Sequence, residues 1–126
     1  MKHNEVGRVG EDIACQFLGR KGFEIIERNY RRPWGEIDII ARKKGIIRFV
    51  EVKSVSRETL PDISRETNGY RPEEQVHPMK LKRIFRTAEL YMSDREGEEE
   101  YQVDVIAVFL VPDKRMARCR LLENIL

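Results

Sequence analysis

The chain has 126 residues, of which 40% are hydrophobic and 37% are charged, and its net charge is only +2. This length predicts one domain over residues 1–126 with a core of its own. The nearly balanced charge excludes a uniformly basic tail, and no apolar run approaches the ~18 residues of a transmembrane helix. The polar N-terminus and the distant Cys15 and Cys119 predict a cytoplasmic protein with free thiols.

The first half of the chain predicts one helix followed by three strands. Apolar residues recur on one helical face over 5–21, with Asn4 as the N-cap and Gly22 as the stop. The residues that follow alternate in polarity and are rich in isoleucine and valine, which is typical of strands. These strands are predicted over 23–30, 36–43 and 46–55.

The second half predicts a long loop, a helix and two more strands. The segment 56–77 is polar and contains Pro and Asn-Gly, so it predicts a loop. A helix follows over 78–92, then a strand over 101–111 that is apolar enough to be central and buried on both faces. A last strand is predicted near 115–122. The order α-β-β-β-α-β-β predicts an α/β fold, a mixed β-sheet flanked by helices.

Charged residues interrupt the predicted hairpin of the second and third strands, GEIDIIARKKGIIRFVEVK. A two-residue turn at 44–45 would place Asp38 directly opposite Glu51, with Cβ atoms ~4.5–5.5 Å apart. The same register would place Glu36 opposite Lys53. A slip of one residue would send the two carboxylates to opposite faces, so this prediction depends on the turn.

Two opposed carboxylates destabilise a sheet unless a cation lies between them. Either Lys53 or a divalent metal could supply that charge, and Mg²⁺ takes oxygen ligands, often one or two carboxylates with water and phosphate oxygens. A metal with a nearby ammonium suits phosphodiester hydrolysis. The alternative is an edge hairpin whose solvated charges discourage aggregation.

The spacing of Asp38, twelve residues and then Glu51-Val52-Lys53 resembles the D…ExK core of restriction-endonuclease-like, PD-(D/E)xK, nucleases. Nearly the whole chain resembles the YraN-like family of small bacterial proteins, which is related in fold to Holliday junction resolvases. Ile37 precedes Asp38, where proline is common in the superfamily. The matching segments are GRVGEDIACQFLGRKGFEIIERNYR, GEIDIIAR, FVEVK, VHPMKLKRI and YQVDVIAV.

The resemblance implies a restriction-endonuclease-like fold and a nuclease that uses Mg²⁺ or Mn²⁺. It implies that Asp38 and Glu51 bind the metal with help from Glu11, and that Lys53 is catalytic alongside the two carboxylates. The backbone carbonyl of Val52 would be a further ligand. The residues alone place Glu11 at the flank of the apolar stripe, where an ordinary surface glutamate is the commoner case. Resolvase-like relatives also suggest a homodimer.

Basic residues near the motif segments predict contacts with phosphate groups. Arg31 and Arg32 precede the hairpin, and Lys80 lies at the edge of the second helix's apolar stripe. Arg83 and Arg86 are placed on the opposite, exposed side of that helix. We therefore predict nucleic-acid binding through Arg31, Arg32 and Lys80.

Three other polar or aromatic residues have competing interpretations. Trp34 and Tyr30 could stack on bases, although packing in a turn or in the core is favoured. Asp104 interrupts an apolar strand, and a structural ion pair or hydrogen bond is favoured over a metal ligand, since a buried aspartate needs a partner.

Three functions are compatible with this pattern. The leading hypothesis is a Mg²⁺-dependent nuclease acting on DNA, with branched and single-stranded forms as candidate substrates. The second is a nucleic-acid-binding module without catalysis, in which the carboxylates are structural. The third is a protein-interaction subunit whose hairpin charges meet a basic partner.

Overall fold

A computed structural model of the protein describes residues 2–56 and 76–125. Most of the predicted loop 56–77 therefore lies outside the described residues. The order of elements confirms the predicted α/β arrangement α-β-β-β-α-β-β. The elements are α1 (His3–Arg20), β1 (Glu24–Arg32), β2 (Gly35–Lys43), β3 (Ile46–Ser56), α2 (Pro78–Ser93), β4 (Glu100–Val111), a short 3-10 helix (Pro112–Lys114) and β5 (Met116–Leu122).

The strands form one mixed sheet in the order β1-β2-β3-β4-β5. The pair β3–β4 is parallel, and the other neighbouring pairs are antiparallel. β4 is buried from Val103 to Val111, as predicted. β4 is an inner strand of the sheet, but the middle strand is β3. The reason is that β5 pairs with the other side of β4 and forms the edge.

The two helices cover opposite faces of the sheet. α1 contributes Ala14 and Leu18 to a core cluster that contains Val50 of β3. α2 contributes Ile84 and Ala88 to a second cluster on the other face. No helix within residues 2–56 and 76–125 is long and apolar enough to cross a bilayer.

The ends of α1 differ in part from the prediction. Gly22 follows the helix with a φ of +88°, which confirms it as the stop, since glycine adopts this conformation without strain. The predicted N-cap, Asn4, is wrong. The helix already begins at His3, with Lys2 in the N-cap position, so Asn4 lies within the first turn.

α1 lies very close to β3 at Gly10. A Cβ atom on Gly10 would lie 1.8 Å from Oγ and 2.7 Å from Cβ of Ser54. Real Cβ atoms do not come this close to other atoms, so a larger residue would push the helix away from the strand. Gly10 therefore sets the distance between β3 and the next helical residue, Glu11.

We predict that Gly10→Ala destabilises the protein by about 1–3 kcal/mol, because overpacking outweighs the better helix propensity of alanine. The matched control is Gly7→Ala, one turn away, where no described atom lies within 4 Å of the added Cβ. This control should be neutral or stabilise by up to ~1 kcal/mol. Urea unfolding of the three proteins measures both effects. Equal stability of the two variants would contradict the close approach.

Candidate functional site

A tight turn fixes the register of the β2–β3 hairpin. The turn residues 44–45 have φ values of +53° and +74°, the left-handed conformation that a two-residue type I′ turn requires. Beside the turn Lys43 pairs with Ile46, and the ladder continues to the pair Ile39–Val50. The predicted register is confirmed. The next residue outward on each strand is one of the two predicted carboxylates.

Asp38 and Glu51 lie together in a cleft of about 260 Å³ beyond the end of this ladder. Glu51 is only 4% exposed. The backbone N–H of Val52 donates a hydrogen bond of 2.8 Å to Oδ2 of Asp38. Burial, followed by the negative charge of Glu51, raises the pKa of Asp38 to about 7. The cleft therefore opposes the presence of two unneutralised carboxylates.

Two lysines border the carboxylate pair. Lys53 lines the cleft two residues after Glu51 on β3. Lys80 of α2 forms an ion pair with Oε1 of Glu51. Burial by itself lowers the pKa of Lys80, but the hydrogen bond and charge of Glu51, together with Asp38, raise it above its ordinary value. Lys80 therefore contacts a carboxylate in this structure. The predicted contact of Lys80 with phosphate stays a prediction.

Glu11 lines the same cleft but contacts an arginine. Its side chain is 14% exposed, and its Oε1 lies 3.3 Å from Nη2 of Arg28. Nη2 of Arg28 is also 2.7 Å from Oδ1 of Asp12. Within the described ranges, no three His, Cys, Asp or Glu side chains come together in a way that could hold a metal ion. The metal-binding role of Glu11 stays a prediction.

Glu36 does not make the contact that the hairpin register suggested. It lies opposite Arg31 in the β1–β2 ladder, and its Oε2 is 3.6 Å from Nε of Arg31. The described β2–β3 ladder ends before it reaches Glu36 and Lys53. The two residues therefore do not form a cross-strand pair.

A second cavity of about 590 Å³ adjoins the cleft, and Lys80 lines both. Arg31 and Arg32, the other predicted phosphate contacts, line this second cavity. Arg83 is exposed, as predicted, but it lines the same cavity as Lys80, so its predicted placement on the opposite side of α2 is wrong. Residues three apart on a helix share a face, and the spacing from Lys80 to Arg83 was the signal in the sequence.

The remaining predictions divide between packing and exposure. Tyr30 is buried and contacts Tyr91 edge to face, with ring centroids 5.3 Å apart, which confirms core packing. Trp34 is 40% exposed and belongs to neither core cluster formed by the described residues. Asp104 is fully buried, 3.5 Å from Nη1 of Arg48, and accepts the N–H of Asn124 at 2.8 Å. Its structural role is confirmed.

Comparison with known proteins assigns a family. Residues 10–108 match the model of the Uncharacterised protein family UPF0102. The chain belongs to the UPF0102 family. It is 37% identical over 124 residues to a UPF0102 protein of Helicobacter pylori strain J99, covering 98% of this chain and 93% of the relative. It is 36% identical over 125 residues to a UPF0102 protein of Dictyoglomus turgidum, covering 98% of each. UPF0102 membership names no activity, so function is argued from the site.

The raised pKa of Asp38 predicts that metal-free protein loses stability as the pH rises from about 4 to about 7. The folded pKa exceeds the unfolded one, so the stabilisation is fully present below the unfolded value and is lost as the pH rises through the folded value. Each pKa unit corresponds to about 1.4 kcal/mol. Asp38→Asn, which stays neutral, should lack this loss.

The measurement is urea unfolding in EDTA between pH 4 and 8. The free energy of unfolding is compared for wild type, Asp38→Asn and the exposed control Asp113→Asn. The difference between wild type and Asp38→Asn should change with pH, whereas Asp113→Asn should follow wild type. A constant difference would mean that Asp38 is not forced to carry a proton in the fold.

Proposed function

We propose that this protein is a divalent-metal-dependent nuclease that hydrolyses phosphodiester bonds of DNA, with branched and single-stranded DNA as the leading substrates. The observation that carries the proposal is that the half-buried Asp38 and the buried Glu51 share one cleft with Lys53. Strongly raised carboxylate pKa values that arise from burial and like charge cluster at functional sites. The D…ExK resemblance gives the same residues the same roles.

The donor set of the cleft fits a hard divalent cation. Mg²⁺ and Mn²⁺ prefer oxygen ligands and commonly bind one or two carboxylates, with water and phosphate oxygens completing the shell. Asp38 and Glu51 would hold the ion, with the Val52 carbonyl and Glu11 assisting. The raised pKa of Asp38 supports this fit, because the cleft favours neutralisation of its charge by a proton or by a cation.

Each group in the cleft would have its own role in the hydrolysis. When bound, the metal supplies Lewis-acid chemistry, which lowers the pKa of water and offsets negative charge on the phosphate. Lys53 would orient the attacking water or stabilise charge that develops on the phosphate. Lys80 would turn from Glu51 to the phosphate backbone once another cation neutralises Glu51. Hydrolysis would form a bond between the water oxygen and phosphorus and break the bond between phosphorus and one sugar oxygen. The attacking water would lose a proton to solvent, and the leaving sugar oxygen would take up a proton to become a hydroxyl.

The proposal also includes a cellular compartment and an oligomeric state. The free thiols of Cys15 and Cys119 are consistent with a cytoplasmic protein. A homodimer would place two clefts around a two-fold axis, which matches the symmetry of a branched DNA junction.

The second candidate function is a nucleic-acid-binding module without hydrolysis. It is favoured by two ion pairs, Lys80 with Glu51 and Arg28 with Glu11, which neutralise carboxylates of the cleft from within the protein. In such a module the cleft would be a structural charge network. Metal binding and cleavage separate the two candidates.

We predict that the protein binds Mn²⁺ and that Asp38→Asn and Glu51→Gln each weaken binding by at least about tenfold, because each removes a ligand and a negative charge. Lys80→Ala should strengthen binding, since it removes the ammonium that competes for Glu51. Isothermal titration calorimetry measures these affinities, with Asp113→Asn as the control. Unchanged affinity in both carboxylate variants would place the metal elsewhere and reject this site.

We also predict cleavage of DNA in Mg²⁺ or Mn²⁺ that falls by about 10²-fold or more in Asp38→Ala and Lys53→Ala, since each loses a group that acts in the transition state. The substrates are labelled linear, single-stranded and four-way-junction DNA, with RNA in parallel. Lys82→Ala, an exposed lysine of α2, is the matched control. Binding without cleavage by any variant would favour the second candidate.

A further inference from the structure

The larger cavity beside the cleft is bounded by the β1–β2 turn and by α2. Trp34 contributes from the turn, and Lys80 and Arg83 contribute from the helix. We call this cavity, with Arg31 and Arg32 on its wall, the Trp34 groove. Lys80 lines both the groove and the carboxylate cleft. A chain molecule that lies in the groove can therefore continue into the cleft.

The Trp34 groove carries four cationic side chains and one anionic side chain, Glu36. Glu36 pairs with Arg31 at 3.6 Å, but the two side chains are 59% and 74% exposed, so water screens this pair. Arg83 has no ion-pair partner among the described residues. The positive charge of Arg31 and Arg83 is thus available to an anionic ligand, whereas Lys80 is already ion-paired within the protein.

Arg32 is held in place on the wall of the Trp34 groove. Its guanidinium carbon lies 4.1 Å from the centroid of the buried Tyr30 ring. Its Nη1 donates a hydrogen bond of 2.7 Å to the carbonyl of Arg31. These two contacts limit the rotamers of a side chain that is otherwise flexible, so less entropy is lost when it binds a phosphate.

The turn that carries Trp34 is also fixed against α2. A Cβ atom on the next residue, Gly35, would lie 2.4 Å from Oγ1 of Thr87. That hydroxyl donates a hydrogen bond of 2.7 Å to the carbonyl of Arg83. Close contact at Gly35 therefore holds the backbone of the turn against the backbone of α2 beside Arg83, so the two walls of the groove lie at a fixed separation.

The exposed indole determines which form of nucleic acid the groove suits. Trp34 is a large aromatic side chain that leaves 40% of its surface exposed beside several cations. An aromatic face stacks on a base, and that stacking is combined with phosphate contacts in proteins that bind single strands. In a duplex the faces of the bases are already stacked on each other, so only an unpaired base offers a free face.

We propose that the Trp34 groove binds an unpaired nucleotide of the strand that enters the cleft, with the base stacked on Trp34 and the phosphates on Arg32 and Arg83. Lys80 would join these phosphate contacts once a metal neutralises Glu51. This inference rests on the proposed function, because it defines the substrate as a strand with unpaired bases next to the cleavage point. A fully paired duplex is then a poor ligand for the groove.

The single tryptophan of the chain provides a direct test. Asp38→Asn protein is titrated with a short oligothymidylate in EDTA, so that no strand is cut, and Trp34 emission is recorded. We expect quenching by the single strand and little quenching by a duplex of the same length. An oligouridylate arm shows whether the strand is preferred as DNA or RNA, and either preference supports the groove. Equal quenching by single strand and duplex would overturn the proposal.

Variants separate the Trp34 groove from general charge attraction. By anisotropy of a labelled oligothymidylate, Trp34→Ala should weaken binding about 5- to 150-fold, the range expected for loss of one stacked base. Arg83→Ala should reduce the slope of log affinity against log salt by about 0.7. Arg86→Ala, an exposed arginine of the same helix outside the groove lining, is the control for charge. Full affinity in Trp34→Ala would reject the groove.

The readouts also separate this proposal from the proposed nuclease activity. Quenching without any cleavage in Mg²⁺ would retain the groove and reject the nuclease. Cleavage that is lost with Asp38, without quenching of Trp34, would retain the nuclease and reject the groove.

Discussion

The repulsion between the carboxylates of Asp38 and Glu51 is the constraint on which the rest of the site depends. Glu51 is buried and Asp38 is half-buried beside it, and the pKa of Asp38 rises to about 7 because of burial and the charge of Glu51. The raised pKa of Asp38 favours a proton on this carboxyl below about pH 7, and the ammonium of Lys80 forms an ion pair with Glu51. A divalent cation held by Asp38 and Glu51 would bring two positive charges and would neutralise both carboxylates in place of the proton and the ammonium.

Three features of the fold bring these groups together. The turn at 44–45 sets the β2–β3 register, the ladder stops after Ile39 and Val50, and a cleft opens beyond it. The absence of a side chain at Gly10 lets α1 approach β3, which brings Glu11 to the same cleft. α2 reaches the cleft from the other face with Lys80. The site therefore lies where both helical layers meet a gap in the sheet.

The local sequence pattern predicted the turn and the carboxylates of the cleft. It did not predict contacts between residues that are far apart in the chain. Lys44-Gly45 determines its own turn type, so the opposed carboxylates followed from the chain itself, and Asp104 needed a partner wherever it was buried. The ion pair of Lys80 with Glu51 had no local signal, because the segment between β3 and α2 separates the two residues. The exposure of Trp34 likewise depends on how a turn meets a distant helix.

A metal bound between Asp38 and Glu51 can be located directly in crystals grown with Mn²⁺ by its anomalous scattering. We expect a peak within bonding distance of oxygen atoms of both Asp38 and Glu51, with the amine of Lys80 displaced from Glu51. A saturating Mn²⁺ concentration with no peak between these carboxylates, and with Lys80 still paired to Glu51, would contradict this metal site. The cleft would then be a structural charge network, and the proposal of a metal-dependent nuclease would be rejected.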